Sequence, residues 1–517
     1  MSRKSAWSIR LRCLAVALGA VTILLGPTVE AASRLADAAR DRDFALVDRL
    51  LGDNSDIDAY GSDGTQALLW IVRVRDAARA RQLLAAGADP NLANRYDLRP
   101  LALAVELDDL AMVELLLDAG ADPRVADAAG EPLLFTATRN DNVGIARALL
   151  AAGVDVDATD ASFEQTALMV AARERQPAMA RLLIDHGADV GRQTAAGAEP
   201  RPRLPAENAG SKGDGIVRGG WPEHGMRGPV PGAKSPLLYA AREGSAEITR
   251  MLLDAGADIE QADANGTTPL LTAIINDNME AARALIEAGA NVNATDWYGQ
   301  RPLWTAIDVR NLDVPGPTRD NGVDRKAALE LIELLLERGA EVNARTREYP
   351  PERRAITSLG SLAWVDFTGQ TPFLRAALAG DVTVLRLLLK HGADPNIDTF
   401  TGTSPLMAAA GVNWVFNQTF DEGPDALLEA VELCYELGND VNQVNHMGVG
   451  AAHGAANRGS DEIIKFLHEH GARLDVPDNV GRTPMTWAEG VFIATHAPEA
   501  KPSTMALIAS LLAEDSP

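Results

Sequence analysis

Glycine recurs along this chain at a nearly fixed step, and that step constrains the fold more than any other feature. The landmark sits in "Gly-Ala-Asp"-like turns at Gly87, Gly120, Gly153, Gly187, Gly256, Gly289, Gly339, Gly392, Gly438 and Gly471. Asn54 holds the same slot one period before Gly87, as suits a left-handed helix C-cap. A second landmark is proline, at Pro100, Pro132, Pro236, Pro269, Pro302, Pro372, Pro405 and Pro484. Proline is tolerated in the first helical turn, where its missing N–H costs nothing. Where the pattern is uninterrupted, proline to the next glycine is 20 residues and glycine to the next proline is 13, a period of 33. A unit that short cannot enclose a core of its own. It must bury its apolar face against its neighbours.

The 20-residue leg holds two short helices, as in Pro269 to Gly289. Paired aliphatic residues before each glycine (Leu83-Leu84, Leu116-Leu117, Leu252-Leu253, Leu388-Leu389) mark the buried face of the second helix. Small residues such as Ala104, Ala240, Ala273, Ala376 and Ala409 let the helices approach closely. The 13-residue leg reads as a hairpin turn, for example Gly289-Ala290-Asn291-Val292-Asn293 through Asp296-Trp297-Tyr298-Gly299. Gly266-Thr267-Thr268-Pro269-Leu270 and Gly256-Ala257-Asp258-Ile259-Glu260 make the pattern similar to the ankyrin repeat, from about Ser33 to the C-terminus. The resemblance implies an all-α ankyrin-repeat solenoid of about twelve helix–turn–helix units with β-hairpin loops. The family's His after Leu survives only as His453, which puts the usual Thr–His hydrogen bond in question.

Residues 1–31 read as a secretory signal peptide. Arg3, Lys4, Arg10 and Arg12 precede the apolar run Cys13 to Leu25, and Val29-Glu30-Ala31 resembles a cleavage site. A retained N-terminal anchor is the alternative. Cleavage leaves one cysteine, Cys434, in a slot that leucine fills elsewhere, so it is expected in the core and no internal disulfide can form. The formal charge of −24 becomes −27 once four basic residues and Glu30 are lost. Such an acidic body repels phosphate backbones and argues against a nucleic-acid partner. Signal-bearing ankyrin proteins resemble a bacterial class, so an exported protein, periplasmic or secreted and not membrane-inserted after cleavage, is expected.

The repeat divides the chain. Residues 33–190 carry repeats one to five with the N-terminal cap, 235–345 repeats six to eight, and 369–517 repeats nine to twelve with the C-terminal cap. Gly/Pro/Arg-rich residues 191–234 and residues 346–368 are insertions in the hairpin leg. Extra residues between paired helices fall at 311–323, around Val412 to Pro424, and near Phe492 to Pro502.

No Gly-x-Ser-x-Gly, phosphate-binding glycine loop or His-Glu-x-x-His occurs, so neither an enzyme nor a metal or other cofactor is indicated. His186, His391 and His470 each precede a repeat glycine and suit a helix C-terminus. Hairpin Asp and Asn residues follow the repeat spacing and read as turn formers rather than calcium ligands. The ankyrin resemblance implies protein partners held by hairpin tips and inner helices. Tyr96, Phe163, Trp297, Tyr298 and Phe400 occupy tips, where a core does not account for large rings. Arg218, Trp221, His224 and Arg227 in the first insertion, and Tyr349, Arg353, Arg354 and Trp364 in the second, mix arginine with aromatic residues on an acidic body. These thirteen residues are the candidate partner-binding set of a monomeric scaffold. Two other readings stay open: an enzyme or small-molecule binder using a pocket under the insertions, and a self-associating structural protein.

Overall fold

The computed structural model describes residues 33–52, 56–127, 130–197, 230–312, 323–347, 368–414, 419, 422–491 and 499–515. Among these, 24 α-helices occur, pairing as twelve units, with isolated β-bridges in place of strands. The first four pairs are α1 (Arg34–Arg40) with α2 (Phe44–Gly52), α3 (Ala67–Arg73) with α4 (Ala77–Ala85), α5 (Pro100–Glu106) with α6 (Leu110–Asp118), and α7 (Leu133–Arg139) with α8 (Val143–Ala151). Next come α9 (Ala167–Arg173) with α10 (Pro177–Asp185), α11 (Pro236–Glu243) with α12 (Ala246–Asp254), α13 (Pro269–Ile275) with α14 (Met279–Glu287), and α15 (Pro302–Arg310) with α16 (Arg325–Glu337). The last are α17 (Pro372–Ala379) with α18 (Val382–Lys390), α19 (Pro405–Ala410) with α20 (Pro424–Glu436), α21 (Ala451–Arg458) with α22 (Asp461–Glu469), and α23 (Pro484–Glu489) with α24 (Pro502–Glu514). The chain divides into two compact units, Met1–Leu103 and Ala104–Pro517.

The helix signals act as the residues dictate. Ser235, Thr268, Thr371, Ser404 and Thr483 stand just before a first-turn proline, and each side chain accepts the backbone N–H three residues on. Asp109, Asn142, Ser245 and Asp381 cap second helices in the same way. The ten landmark glycines all have φ between 83° and 99°, a left-handed conformation that lets the turn reverse out of the helix. The corresponding role for Asn54 lies outside the described residues. His453 caps α21 differently: its Nδ1 accepts the Gly450 N–H at 3.1 Å.

Burial follows the repeat. Within Ala104–Pro517 the first helices of successive pairs from α7 to α23 pack on one another, as do most second helices. α13, α15, α17, α19 and α21 are buried along almost their whole length. Cys434 is wholly buried, and loss of solvent pushes its thiol up to about 12. His186 and His470 each donate from Nδ1 to the carbonyl four residues back, at 2.8 and 2.7 Å, which is a helix-end role. Among the described residues, no helix is long and apolar enough to cross a membrane.

Candidate functional site

Each hairpin is built on one short polar side chain. Asp296 donates its own N–H to the Gln300 carbonyl at 3.3 Å, accepts the Gly299 N–H at its carbonyl, and takes the Tyr298 and Gln300 N–H groups on Oδ1 at 2.9 Å each. Asn94, Asp127, Asp263, Asn445 and Asp478 repeat this arrangement. Thr399 does so with its hydroxyl. The hairpin carboxylates are thus turn formers. Among the described residues, no group of three or more His, Cys, Asp or Glu gathers as a metal site.

Successive tips are joined by backbone hydrogen bonds. In Ala104–Pro517, the N–H groups of Trp297, Arg347, Phe400, His446 and Asn479 donate to the carbonyls of Asn265, Tyr298, Thr368, Thr401 and Met447, at 2.8–3.1 Å. Ala195 N–H donates likewise to Phe163 at 3.1 Å. In Met1–Leu103, Arg95 donates to Gly64 at 3.1 Å. Within Ala104–Pro517 the tips therefore form a ladder running across repeats, fixed by main-chain geometry rather than by side-chain choice.

Both hairpin-side insertions leave from this ladder. The stems of the first are zipped: Thr194 donates to Lys234, Ala233 to Thr194 and Gly197 to Pro231, at 3.1, 3.2 and 2.7 Å. The returning stem is moored on the next tip by reciprocal bonds between Val230 and the Asn265 amide, 2.7 and 3.0 Å, and by the Lys234–Asp263 ion pair at 2.5 Å. In the second, Thr346 donates to Gln370 and Gly369 to Thr346, at 3.1 and 2.8 Å. Arg345 donates to Gly369 and Asp398 carbonyls and lies 4.2 Å over the Phe400 ring. Arg218, Trp221, His224, Arg227, Tyr349, Arg353, Arg354 and Trp364 lie outside the described residues.

The tip aromatics divide sharply. Tyr96, Phe163, Phe400 and Trp297 are 74%, 64%, 51% and 38% exposed. Tyr298, expected beside Trp297 as a contact residue, is only 2% exposed. The turn that sends Trp297 outward sends the next side chain inward, so an exposed role for Tyr298 does not hold. Two exposed valines, Val444 and Val480, also lie on hairpins and carry no sequence signal beyond their position.

One carboxylate in the ladder is out of the ordinary. Burial pushes Asp296 up to about 7, against its bonds from the Gln300, Tyr298 and Gly299 N–H groups, and the nearby Asp263 charge adds to the rise.

Comparison with known proteins agrees with this geometry. A family model described as "Ankyrin repeats (3 copies)" matches residues 35–127, 119–194 and 232–315, and one described as "Ankyrin repeat" matches 368–400. The chain is 40% identical over 115 residues to cyclin-dependent kinase 4 inhibitor B of Rattus norvegicus, covering 22% of this chain and 78% of that protein. It is 39% identical over 66 residues to the inactive serine/threonine-protein kinase TEX14 of Bos taurus, covering 12% of this chain and only 4% of that one. The solved ankyrin repeat domain of Bcl-3 aligns with a TM-score of 0.37 at 23% identity, over 49% of this chain and 96% of that domain. Matched family models over more than half of the sequence, and the covered kinase inhibitor, establish that the chain belongs to the ankyrin repeat family.

Proposed function

We propose that this protein is an exported ankyrin-type scaffold that binds a protein partner through its hairpin ladder, the exposed tip rings and the two Arg/aromatic insertions. The observation that carries the reading is the ladder itself. Large rings at Phe163, Trp297 and Phe400 stand exposed on turns that main-chain bonds tie to their neighbours, and both insertions spring from the same row. Rigid aromatic groups lose little entropy on binding and are the residue types enriched at binding hot spots. The reading gives the protein no chemistry of its own and a monomeric state. Supporting the first point, the tip carboxylates are occupied in holding turns.

Affinity purification of the protein from its native host, with mass spectrometry of what is retained, identifies the partner. The triple variant Phe163→Ala, Trp297→Ala, Phe400→Ala is expected to retain at least tenfold less of it while unfolding at the same temperature. Full retention by the triple variant overturns the placement of the site.

A further inference from the structure

In a repeat array each unit ordinarily touches only its neighbours. Here the α15–α16 pair and the α19–α20 pair meet across the α17–α18 pair between them. Leu312, just past α15, and Thr419, ahead of α20, form an antiparallel bridge. Arg325, opening α16, is ion-paired with Glu422, and the Glu422 N–H donates to the Ala379 carbonyl at the end of α17, 3.3 Å. Two of the three insertions between paired helices, at 311–323 and around Val412 to Pro424, thus contribute to one contact, at the helix ends away from the hairpins.

Beneath it lies an ionic network drawn from the α15–α16 and α17–α18 pairs, which Glu422, ahead of α20, joins through Arg310 at 3.9 Å. Arg375 of α17, wholly buried, pairs with Asp308 of α15 at 2.6 Å and donates to the Asn311 carbonyl at 3.0 Å. Arg310 of α15 pairs with Asp381 at 2.8 Å, and Arg325 lies 3.8 Å from the same carboxylate. Asp381 in turn caps α18 by accepting the Val384 N–H at 3.2 Å. A buried ion pair contributes little net stability, but separating it strands each charge without its partner. Either of the α15–α16 and α17–α18 pairs can therefore peel away only by exposing charges of the other, and the α19–α20 pair only by stripping Glu422 from Arg310 and Arg325.

We infer that residues from α15 to α20 open as one cooperative block, clasped by Leu312–Thr419 and Arg325–Glu422, and that the clasp holds the Trp297 and Phe400 tips in fixed register. The register clause takes its functional meaning from the tip-ladder reading; the cooperativity does not, and both are measured on the protein alone.

The test is native-state hydrogen exchange of the full chain in increasing urea. In the unaltered protein, amides of α15, α17 and α19 should share one protection level and one urea dependence. The Arg325→Ala, Glu422→Ala double variant should raise exchange in α19 and α20 at least fivefold, split their urea dependence from that of α15, and speed the Phe400 amide with them. α9 and α10 should not change. A gain-of-protection arm covers a variant that fails to fold. An antiparallel bridge places Cα atoms within disulfide range. Oxidised Leu312→Cys, Thr419→Cys should slow exchange in both α15 and α19 about tenfold, reversibly on reduction. Distinct urea dependence of α15 and α19 in the unaltered chain, or a cross-link that protects only residues beside 312 and 419, overturns the block. An unchanged Phe400 amide in the double variant overturns the fixed register of the tips.

Discussion

At the residue scale, Asp296 and Tyr298 make opposite demands within one turn. Asp296 is held in a buried turn with a folded-state pKa of about 7, above the ~3.9 of an unfolded aspartate. The folded state therefore binds more protons between those values. Its contribution to stability is fully present below about pH 4 and is lost as pH rises through about 7. Asn94 and Asn445 make the same turn bonds with no charge, so Asp296→Asn keeps the acceptor and removes the penalty. Urea melts should show Asp296→Asn stabilising by on the order of 2 kcal/mol at pH 8 and by much less at pH 5. An equal effect at both values would show that the carboxylate carries no burial cost. For Tyr298, truncation to alanine should cost roughly 3 kcal/mol, as for a core ring. Trp297→Ala, one residue away and 38% exposed, should cost under about 1 kcal/mol. The sequence distinguishes these neighbours poorly. Both are aromatic, both occupy the tip, and which one points inward depends on the turn fixed by Asp296 and on the hairpin beyond it.

At the element scale, the repeat was almost wholly legible. Glycine, proline and the Ser/Thr before it each act through a local backbone requirement, so they mark helix ends wherever they stand. Close approach between elements is not local, and Gly454 shows why. In a helix interior, glycine to alanine normally gains about 1 kcal/mol. Here a Cβ would lie 2.5 Å from the Val412 backbone nitrogen and 2.9 Å from the Gly411 carbonyl carbon. Backbone cannot step aside as a side-chain tip can, so the clash exceeds the propensity gain. Gly454→Ala should lower stability by on the order of 2 kcal/mol, read by denaturant melts; a stabilised variant would mean that α19 and α21 sit further apart. The inter-repeat staples are similarly hidden. Asn343 accepts the Asp394 N–H and donates to the Gly392 carbonyl, at 2.8 and 3.2 Å. Its residue type suggests only a turn. The link to the next repeat appears once the units are stacked.

At the scale of the whole molecule, spacing gives where the insertions are expected to enter but not what they do there. The hairpin-side pair rises from zipped stems on the tip ladder, and two of the three between helices meet across an intervening repeat. Neither outcome follows from counting residues, because each depends on segments far apart in sequence arriving at one edge. The leader belongs to this scale too. If it is a cleaved export signal, N-terminal sequencing of protein recovered from the host should begin at Ala32; a chain still carrying Arg3 and Lys4 would favour a retained anchor. The hairpin ladder is proposed as the face that meets the partner. Hydrogen exchange of the protein with and without its purified partner tests it most directly. Slowed exchange is expected at the turns around Phe163, Asp296–Gln300 and Thr399–Thr403, with second helices such as α12, α14 and α18 unaffected. Protection confined to those second helices, with the turns unchanged, would contradict it.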